Sequence, residues 1–395
     1  MVIHKAFRFK LKPTREQEPQ FWRYAGASRW VWNELLAYRQ QVYGETGQAP
    51  SLKEQMARLT VLKGEADTTW LREIHSQVLQ EPLKHLADAF GRFFKGISGF
   101  PNFKSKRRTT PSFSYPQSVQ VHENQVYLPK IGWVRFRKSR EVVGLIKRAT
   151  VSHKASGWYV SILCEVEVAD PALPHIAHET TVGIDLGLID FLTPSEGEPI
   201  PAPRLLRRLE KKLAQAQRAL ARCQRGSTRY QKQARKVARL HERVANARRD
   251  FLHKLSSALV AENQGIFAED LSVKGLARTR LAKSVHDAGW GEFLRQLEYK
   301  CAWQGKLFHQ VDRFFPSSKL HWEQADSTPC GHLNTLSLSD RVFVCQGCGE
   351  LVGRDRNAAR NIKRQGLFDV LAAGQTDSLN ARGLEIRPVS AGALE

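Results

Sequence analysis

Val182-Gly183-Ile184-Asp185-Leu186-Gly187 is the stretch on which the reading of this chain turns. Two later ones complete it: Ile266-Phe267-Ala268-Glu269-Asp270-Leu271 and Gly353-Arg354-Asp355-Arg356-Asn357-Ala358-Ala359. Each puts an acidic residue at the end of an apolar run or the start of a helix. Thr180 to Ile184 has the pattern of a buried strand, where a charge is costly unless a metal or hydrogen bonds satisfy it. Taken singly, each acid has an ordinary reading. Asp185 fits a strand-to-turn cap, and Asp190, five residues on, falls in or beyond that turn. Asp270 is as good a candidate as Glu269 by chemistry. Asp355 precedes a tract of helix formers and could be an N-cap. Taken together, three carboxylates from separate segments can hold two divalent metals about 4 Å apart and clamp a phosphodiester for in-line attack by water. Mg²⁺ or Mn²⁺ suits such a site, because hard cations take oxygen ligands, and Mg²⁺ keeps several waters.

The chain has 395 residues and a formal net charge of +22, with a pI near 10.0. That excess points to a polyanion, since released counterions drive binding to phosphate backbones. Between Arg204 and Lys254 stand 17 Lys or Arg against three acidic residues, a net +14 of the chain's +22. A solvated helical face mixes both signs, whereas a long one-signed face tracks a phosphate backbone. A coiled-coil interaction arm is the alternative. Arg204, Arg207, Arg208, Lys211, Lys212, Arg235, Lys236 and Arg239 are the candidate contacts there. Lys104, Lys106, Arg107 and Arg108 are candidates in the tract Gly99–Arg108, which mixes aromatics, basic residues and turn formers. That tract reads as a basic linker or as a loop that grips a backbone.

Six cysteines do not make a disulfide scaffold in a chain of this length. Cys164, Cys223 and Cys301 are isolated, while Cys330, Cys345 and Cys348 cluster, as in a reducing compartment with one metal knuckle. The N-terminus lacks the apolar core of a signal peptide, and no run of about 18 apolar residues suggests a membrane span. The expectation is a cytoplasmic, nucleoid-associated bacterial protein with no membrane partner.

Phe7, Phe9 and Leu11 alternate with basic residues, the period of a half-buried strand over residues 2–12. From Glu16 to about Gly96 the period becomes helical, with Trp22, Ala25, Trp30, Trp32 and Leu36, then Leu79, Leu83, Leu86, Ala89 and Phe93, as a core face, base-stacking being the alternative for the aromatics. Gln125–Leu128, Trp133–Arg137, Thr150–His153 and Trp158–Glu167 read as antiparallel strands of a small barrel, with residues 2–12 as its missing strand. The helical block is then an insertion. A linker follows from Pro171 to His178, and a helical hairpin broken near Gly226 spans 204–263. The tail from about Gly374 reads as poorly structured.

The motifs together resemble the TnpB family, RNA-guided RuvC-type nucleases of bacterial insertion sequences related to type V CRISPR effectors. The resemblance covers about residues 4–365. It rests on Gly99–Lys106, Val182–Gly187, Glu269-Asp270-Leu271, Phe315-Pro316-Ser317-Ser318-Lys319, Leu338-Ser339-Asp340-Arg341, Cys345–Gly349 and Asp355–Ile362. It implies an α+β multidomain fold. A small β-barrel (wedge), residues 1–14 and 109–172, carries an inserted helical recognition domain, 15–108. An RNase H-like (RuvC) α/β nuclease domain follows over 173–318, with a zinc-ribbon insertion at 319–350, a C-terminal helix at 351–368 and a flexible tail at 369–395. It implies cleavage of double-stranded target DNA beside a short transposon-adjacent motif, directed by a noncoding guide RNA. The sequence does not fix the oligomeric state, and a monomer with its RNA is the expectation. By motif match the catalytic, Mg²⁺-binding residues are Asp185, Glu269 and Asp355. The last is selected because the metal-binding Asp stands two before the Asn.

The chain departs from the family in its ribbon. Where a cysteine pair follows Ser-Ser-Lys, this chain has Leu320 and His321. Since imidazole is an accepted Zn²⁺ ligand, His321, Cys330, Cys345 and Cys348 make a tetrahedral set, with His332 a rival fourth ligand. A loop held by packing without metal is the third reading. Gly353 also replaces an upstream Asp. The competing functions are a nuclease-inactive RNA-guided DNA-binding repressor on the same scaffold and a guide-independent RuvC-like nuclease.

Overall fold

Alternation of buried Phe7, Phe9 and Leu11 with accessible neighbours gives the first strand, β1 (Val2–Lys12). The computed structural model describes residues 1–168, 176–323, 329–337 and 339–373. The linker residues 171–175, the segment 324–328, Leu338 and the tail from Gly374 lie outside the described residues. The chain forms two units, Met1–Ala169 and Asp170–Glu395.

In the first unit β1 is followed by α1 (Gln17–Thr46), α2 (Leu52–Leu62) and α3 (Ser76–Phe94). Gly47 ends α1 in the left-handed region at φ 69°, where a residue without Cβ is unstrained. Ser51 and Glu54 form a capping box at the start of α2, satisfying two otherwise orphaned N–H groups. Six strands follow: β2 (Ser112–Tyr115), β3 (Gln120–His122), β4 (Gln125–Leu128), β5 (Gly132–Arg137), β6 (Leu145–Lys154) and β7 (Gly157–Glu167). The seven strands pair antiparallel in the order β2-β6-β7-β1-β5-β4-β3, so β1 sits between β7 and β5. The end strands β2 and β3 do not pair with each other. The sheet of the expected small barrel is thus a curled half-barrel. The physical reason lies in its core: Phe21, Leu35, Leu79, Leu83 and Leu86 of the helices are buried in one cluster with Phe9, Tyr115, Val151 and Val160 of the strands. The helices cover the apolar face that closure would otherwise have to bury.

The second unit holds β8 (Thr181–Asp185), β9 (Asp190–Pro194), β10 (Ile200–Pro201), α4 (Leu205–Ala221), α5 (Thr228–Glu262) and β11 (Gly265–Glu269). These are followed by α6 (Val273–Leu276), α7 (Ala282–Ala288), α8 (Trp290–Gln304) and β12 (Leu307–Val311). Two small hairpins, β13 (Leu320–Glu323) with β14 (Pro329–Leu333) and β15 (Val342–Val344) with β16 (Leu351–Gly353), lead into α9 (Arg354–Ala372). The main sheet has the order β10-β9-β8-β11-β12, with β8, β11 and β12 parallel and β9 antiparallel to β8. Side chains alternate across it. Val182, Ile184, Ile266 and Ala268 pack with Leu252, Leu259, Phe293 and Leu297 of α5 and α8. Phe267 and Val311 pack with Ile362, Leu367 and Val370 of α9. The unit is therefore a three-layer α/β arrangement.

The seat of α9 is unusually close. A Cβ on Gly183 would lie 2.1 Å from the Ala359 carbonyl oxygen and 2.6 Å from the Lys363 nitrogen, and one on Gly366 would lie 2.1 Å from Phe267 Cδ1. Only glycine fits at either position. Gly183→Ala should therefore push α9 off β8, lowering stability by ~1–3 kcal/mol as overpacking does. Thermal and denaturant unfolding of the full chain measure this. An unchanged midpoint would mean that α9 seats elsewhere.

Candidate active site and metal centre

Strand alternation decides where the first two carboxylates face. Asp185 shares the face of Gly183, and Glu269 that of Phe267, so both belong to the side covered by α9. The parallel register pairs Ala268 with Ile184, which sets Glu269 beside Asp185 at the C-terminal ends of neighbouring strands. Asp355 enters from the first turn of α9 as its second residue; the N-cap is Gly353, with no side-chain cap. Asp355 is thus not the capping residue, and the positive end of the helix favours its charge.

The electrostatics record the convergence. The Asp185 carboxyl is pushed up from 3.8 to about 7, first by burial and then by the charges of Asp355 and Glu269, against a smaller lowering by Arg354. Glu269 is also raised, by burial and then by Asp270. Like charges brought together out of water cannot all ionise freely, and a cation would relieve them. The donor set, three carboxylates on one face, fits hard divalent ions. Asp270, chemically equal in the sequence, is engaged elsewhere: its carboxylate accepts from Arg313 Nη2 at 2.6 Å and its carbonyl from Arg313 Nε at 3.1 Å. Asp190 opens β9, opposite Pro201.

Two residues near the acids were not singled out by sequence reasoning. Arg341 Nη1 lies 3.7 Å from Asp355 Oδ1. Arg354 donates to the carbonyls of Ser337 and Asp340. The signal was present in the Leu338–Arg341 motif, but its role shows only when the turn folds against α9.

Among the described residues one Cys/His/Asp/Glu set brings its ligand atoms all within 4.8 Å: His321, Cys330, Cys345 and Cys348. Cys330 Sγ and Cys345 Sγ are 3.7 Å apart, and Cys348 Sγ is 3.3 Å from His321 Nδ1. Tetrahedral coordination with Zn–S bonds of ~2.3 Å gives S···S edges of ~3.8 Å, so the set could hold a zinc ion. Burial pushes the Cys345 thiol up, but backbone N–H groups of Cys348 and Gly347, the Asn334 amide and His321 together bring it down to about 6. A thiolate is the form a metal binds. His332 lies across the hairpin from His321 and outside the four-atom set. A Cβ on Gly347 would meet its ring at 2.8 Å, so His332 packs under the knuckle turn. The amides of Asn357 and Asn361 donate to the Leu320 carbonyl at 2.7 and 2.6 Å, tying this centre to α9.

The basic candidates divide. Arg204, Arg207, Arg208, Lys211 and Lys212 are exposed at the start of α4, and Arg235, Lys236 and Arg239 on α5. Lys106, Arg107 and Arg108 are exposed as well. Lys104 is half-buried, with its ammonium 3.6 Å from the centre of the Trp32 ring and its pKa lowered to about 8 by burial. It is a packing contact more than a free cation. No helix among the described residues is long and apolar enough to cross a membrane.

Known proteins resemble this chain over most of its length. It is 38% identical over 391 residues to "Putative RNA-guided DNA endonuclease InsQ" of Escherichia coli K12, covering 94% of each chain. The chain belongs to the TnpB family. A Streptomyces pristinaespiralis TnpB-family relative, "Putative RNA-guided DNA endonuclease", is 39% identical over 92% of this chain and 90% of its own. Family profiles match as OrfB_IS605, "Probable transposase", over residues 161–280, and as "Cas12f1-like, TNB domain" over 290–362. A third, described as a helix-turn-helix domain, matches residues 1–48. In this TnpB-family chain those residues form one strand and one long helix. The protein in the "Cryo-EM structure of the Cas12f1-sgRNA-target DNA complex" superposes with a TM-score of 0.52 at 14% identity, over 92% of this chain and 99% of that one. The two share a mixed α/β fold.

The raised Asp185 gives a pH-dependent expectation. Between about pH 4 and 7 the folded protein keeps a proton that the unfolded chain has released. Stability therefore falls as pH rises through that window, and the loss is complete above about pH 7. Adding Mg²⁺ should raise Tm by a few degrees near pH 8 and hardly at all near pH 5. Asp185→Asn should raise the metal-free Tm near pH 8 and remove the Mg²⁺ response. Equal Mg²⁺ responses at both pH values in calorimetry would contradict the clustering.

Proposed function

We propose that this chain is an RNA-guided DNA endonuclease of a transposable element, cutting target DNA at Asp185, Glu269 and Asp355. The observation that carries the reading is the Asp185 carboxyl, raised to about 7 in part by the charges of Asp355 and Glu269. Such shifts mark sites built to hold charge for chemistry. The β10-β9-β8-β11-β12 sheet with α9 on one face supports an RNase H-like (RuvC) assignment. The names of the relatives support guide RNA and DNA as partners. A bound pair of Mg²⁺ or Mn²⁺ ions supplies activation of a water and charge stabilisation at the phosphodiester.

The chain's own groups do the rest. Asp185, Glu269 and Asp355 are the residues that would hold the cations, Asp185 in its deprotonated form. Arg341, 3.7 Å from the Asp355 carboxylate, orients that side chain. The exposed cations of α4 and α5 grip guide RNA or heteroduplex by its backbone, leaving sequence to base pairing. His321, Cys330, Cys345 and Cys348 would hold a structural Zn²⁺, and metal binding there would couple to folding of the segment that carries Asp355. The intact carboxylate set speaks against a nuclease-inactive repressor.

The protein purified from its host should carry a discrete RNA and cut matched plasmid with Mg²⁺. Changing Asp185, Glu269 or Asp355 to Ala should lower the cutting rate by ~10²-fold or more while RNA-dependent DNA binding survives. A variant that cuts at the parental rate would remove its residue from the site. Elemental analysis should find about one zinc per chain, with content reduced in His321→Ala and kept in His332→Ala. The reverse pattern would reassign the ligand.

A further inference from the structure

His321 stands where the TnpB pattern has a cysteine, and the exchange sets the cysteine–histidine centre a new requirement. A thiolate offers a metal one atom. An imidazole offers either of two nitrogens, and the one that keeps the proton cannot bind. The folded chain gives each nitrogen its own neighbour. Nδ1 lies 3.3 Å from Cys348 Sγ, near the ~3.6 Å N···S edge of a tetrahedral zinc site. Nε2 lies 3.7 Å from Glu350 Oε2. The ring is 3% exposed, so bulk water has little part in choosing the tautomer.

Main-chain bonds put Glu350 at this place. Gly349 turns the chain through the left-handed region at φ 78°. Its N–H donates to the Cys345 carbonyl, and the Cys345 N–H donates to the Glu350 carbonyl, each at 2.8 Å. The knuckle thus closes on itself with Glu350 at its exit, and these bonds survive any change of the Glu350 side chain. The sulfur side is held in a similar way. Asn334, 2% exposed, accepts from the Gln346 N–H at 2.8 Å and turns its amide to Cys345 Sγ at 3.7 Å. The Gly347 N–H donates to the same sulfur at 3.4 Å. A carboxylate beside one imidazole nitrogen keeps the proton there and leaves the other lone pair for a metal. The 3.7 Å contact is an ion-pair distance, longer than a hydrogen bond. A cation on Nδ1 would make the Nε2–H more positive and strengthen its attraction to the carboxylate.

We propose that Glu350 is the positioning residue of this centre: it holds the His321 proton on Nε2 and presents Nδ1 as the fourth ligand atom for Zn²⁺. The inference rests on the zinc reading above and adds to it a residue outside the ligand set and a choice of ring nitrogen. Glu350 and His321 are a matched pair. A carboxylate beside a fourth thiolate would only repel it, whereas beside an imidazole it raises the basicity of the ligand.

Zinc titration of the full chain, stripped of metal and set in competition with a chromophoric chelator, tests it. Glu350→Ala should weaken Zn²⁺ binding about 10–100-fold. Glu350→Gln should recover most of that loss, because its side-chain carbonyl still accepts from Nε2–H. In a His321→Cys background, Glu350→Ala should leave the affinity unchanged or raise it, so the two positions couple. Nitrogen NMR of the zinc-loaded protein, labelled at histidine, should show His321 protonated at Nε2 and metal-bound at Nδ1. Without metal, Glu350→Ala should unfold at the parental midpoint. A lowered midpoint with parental zinc affinity would make Glu350 a structural contact and overturn the assignment. So would an equal loss of affinity in the His321→Cys background, or metal on Nε2. Tighter zinc binding by Glu350→Ala would make the pair a competitor of the metal and overturn it as well. Zinc bound equally by the parent and Glu350→Ala sinks this inference alone. A parental protein that takes up no zinc sinks the centre itself, and this inference with it.

Discussion

Everything in the second unit depends on how closely α9 lies against β8 and β11. Gly183 and Gly366 remove the two Cβ atoms that would hold helix and sheet apart. Gly183 and Asp185 share one face of β8, so the contact that seats the helix also brings its first turn beside the first carboxylate. Lys363 is buried at this junction, with its ammonium 3.1 Å from the Glu196 carboxylate. A buried cation without its partner would be strongly destabilising. From the same helix Asn357 and Asn361 hold the Leu320 carbonyl, and Asn361 the Ser317 carbonyl. One packing contact thus orders the third carboxylate and the start of the cysteine-bearing hairpins.

The price is electrostatic. Bringing three acids to one face costs stability once Asp185 ionises, and the fold tolerates it because the hydrophobic layers on both sides of the sheet are continuous. Strain of this kind is expected where a site is organised for chemistry. The cysteine centre has the opposite character. N–H donors around Cys345 favour its thiolate, while burial pushes the neighbouring Cys330 thiol up.

What could be read from sequence was mostly local. The period of Phe7, Phe9 and Leu11 sufficed for β1, and the leucines of α3 for a core helix. The acids stood out because charges at the ends of apolar runs need a reason. What could not be read depends on pairing between distant segments. Glu269 and Asp270 are equivalent until strand parity turns one toward α9 and Arg313 claims the other. His321 and His332 face each other across a hairpin, and only the folded hairpin separates the cluster member from the packing residue. The alternating segments read as a small barrel. The sheet stays a curled half-barrel because the helices inserted between β1 and β2 cover the same apolar face. Lys104 looked like its basic neighbours, yet Trp32, over seventy residues away, draws it into a packed site.

The central claim is that base pairing chooses where the carboxylate site cuts. Replacing only the guide segment of the co-purifying RNA, in the otherwise unchanged complex, and mapping the cleaved ends on a plasmid carrying both old and new targets tests it most directly. Cutting should move to the new target wherever the same short flanking motif is present. Cutting that stays at the original site would contradict the account and make the protein a guide-independent nuclease.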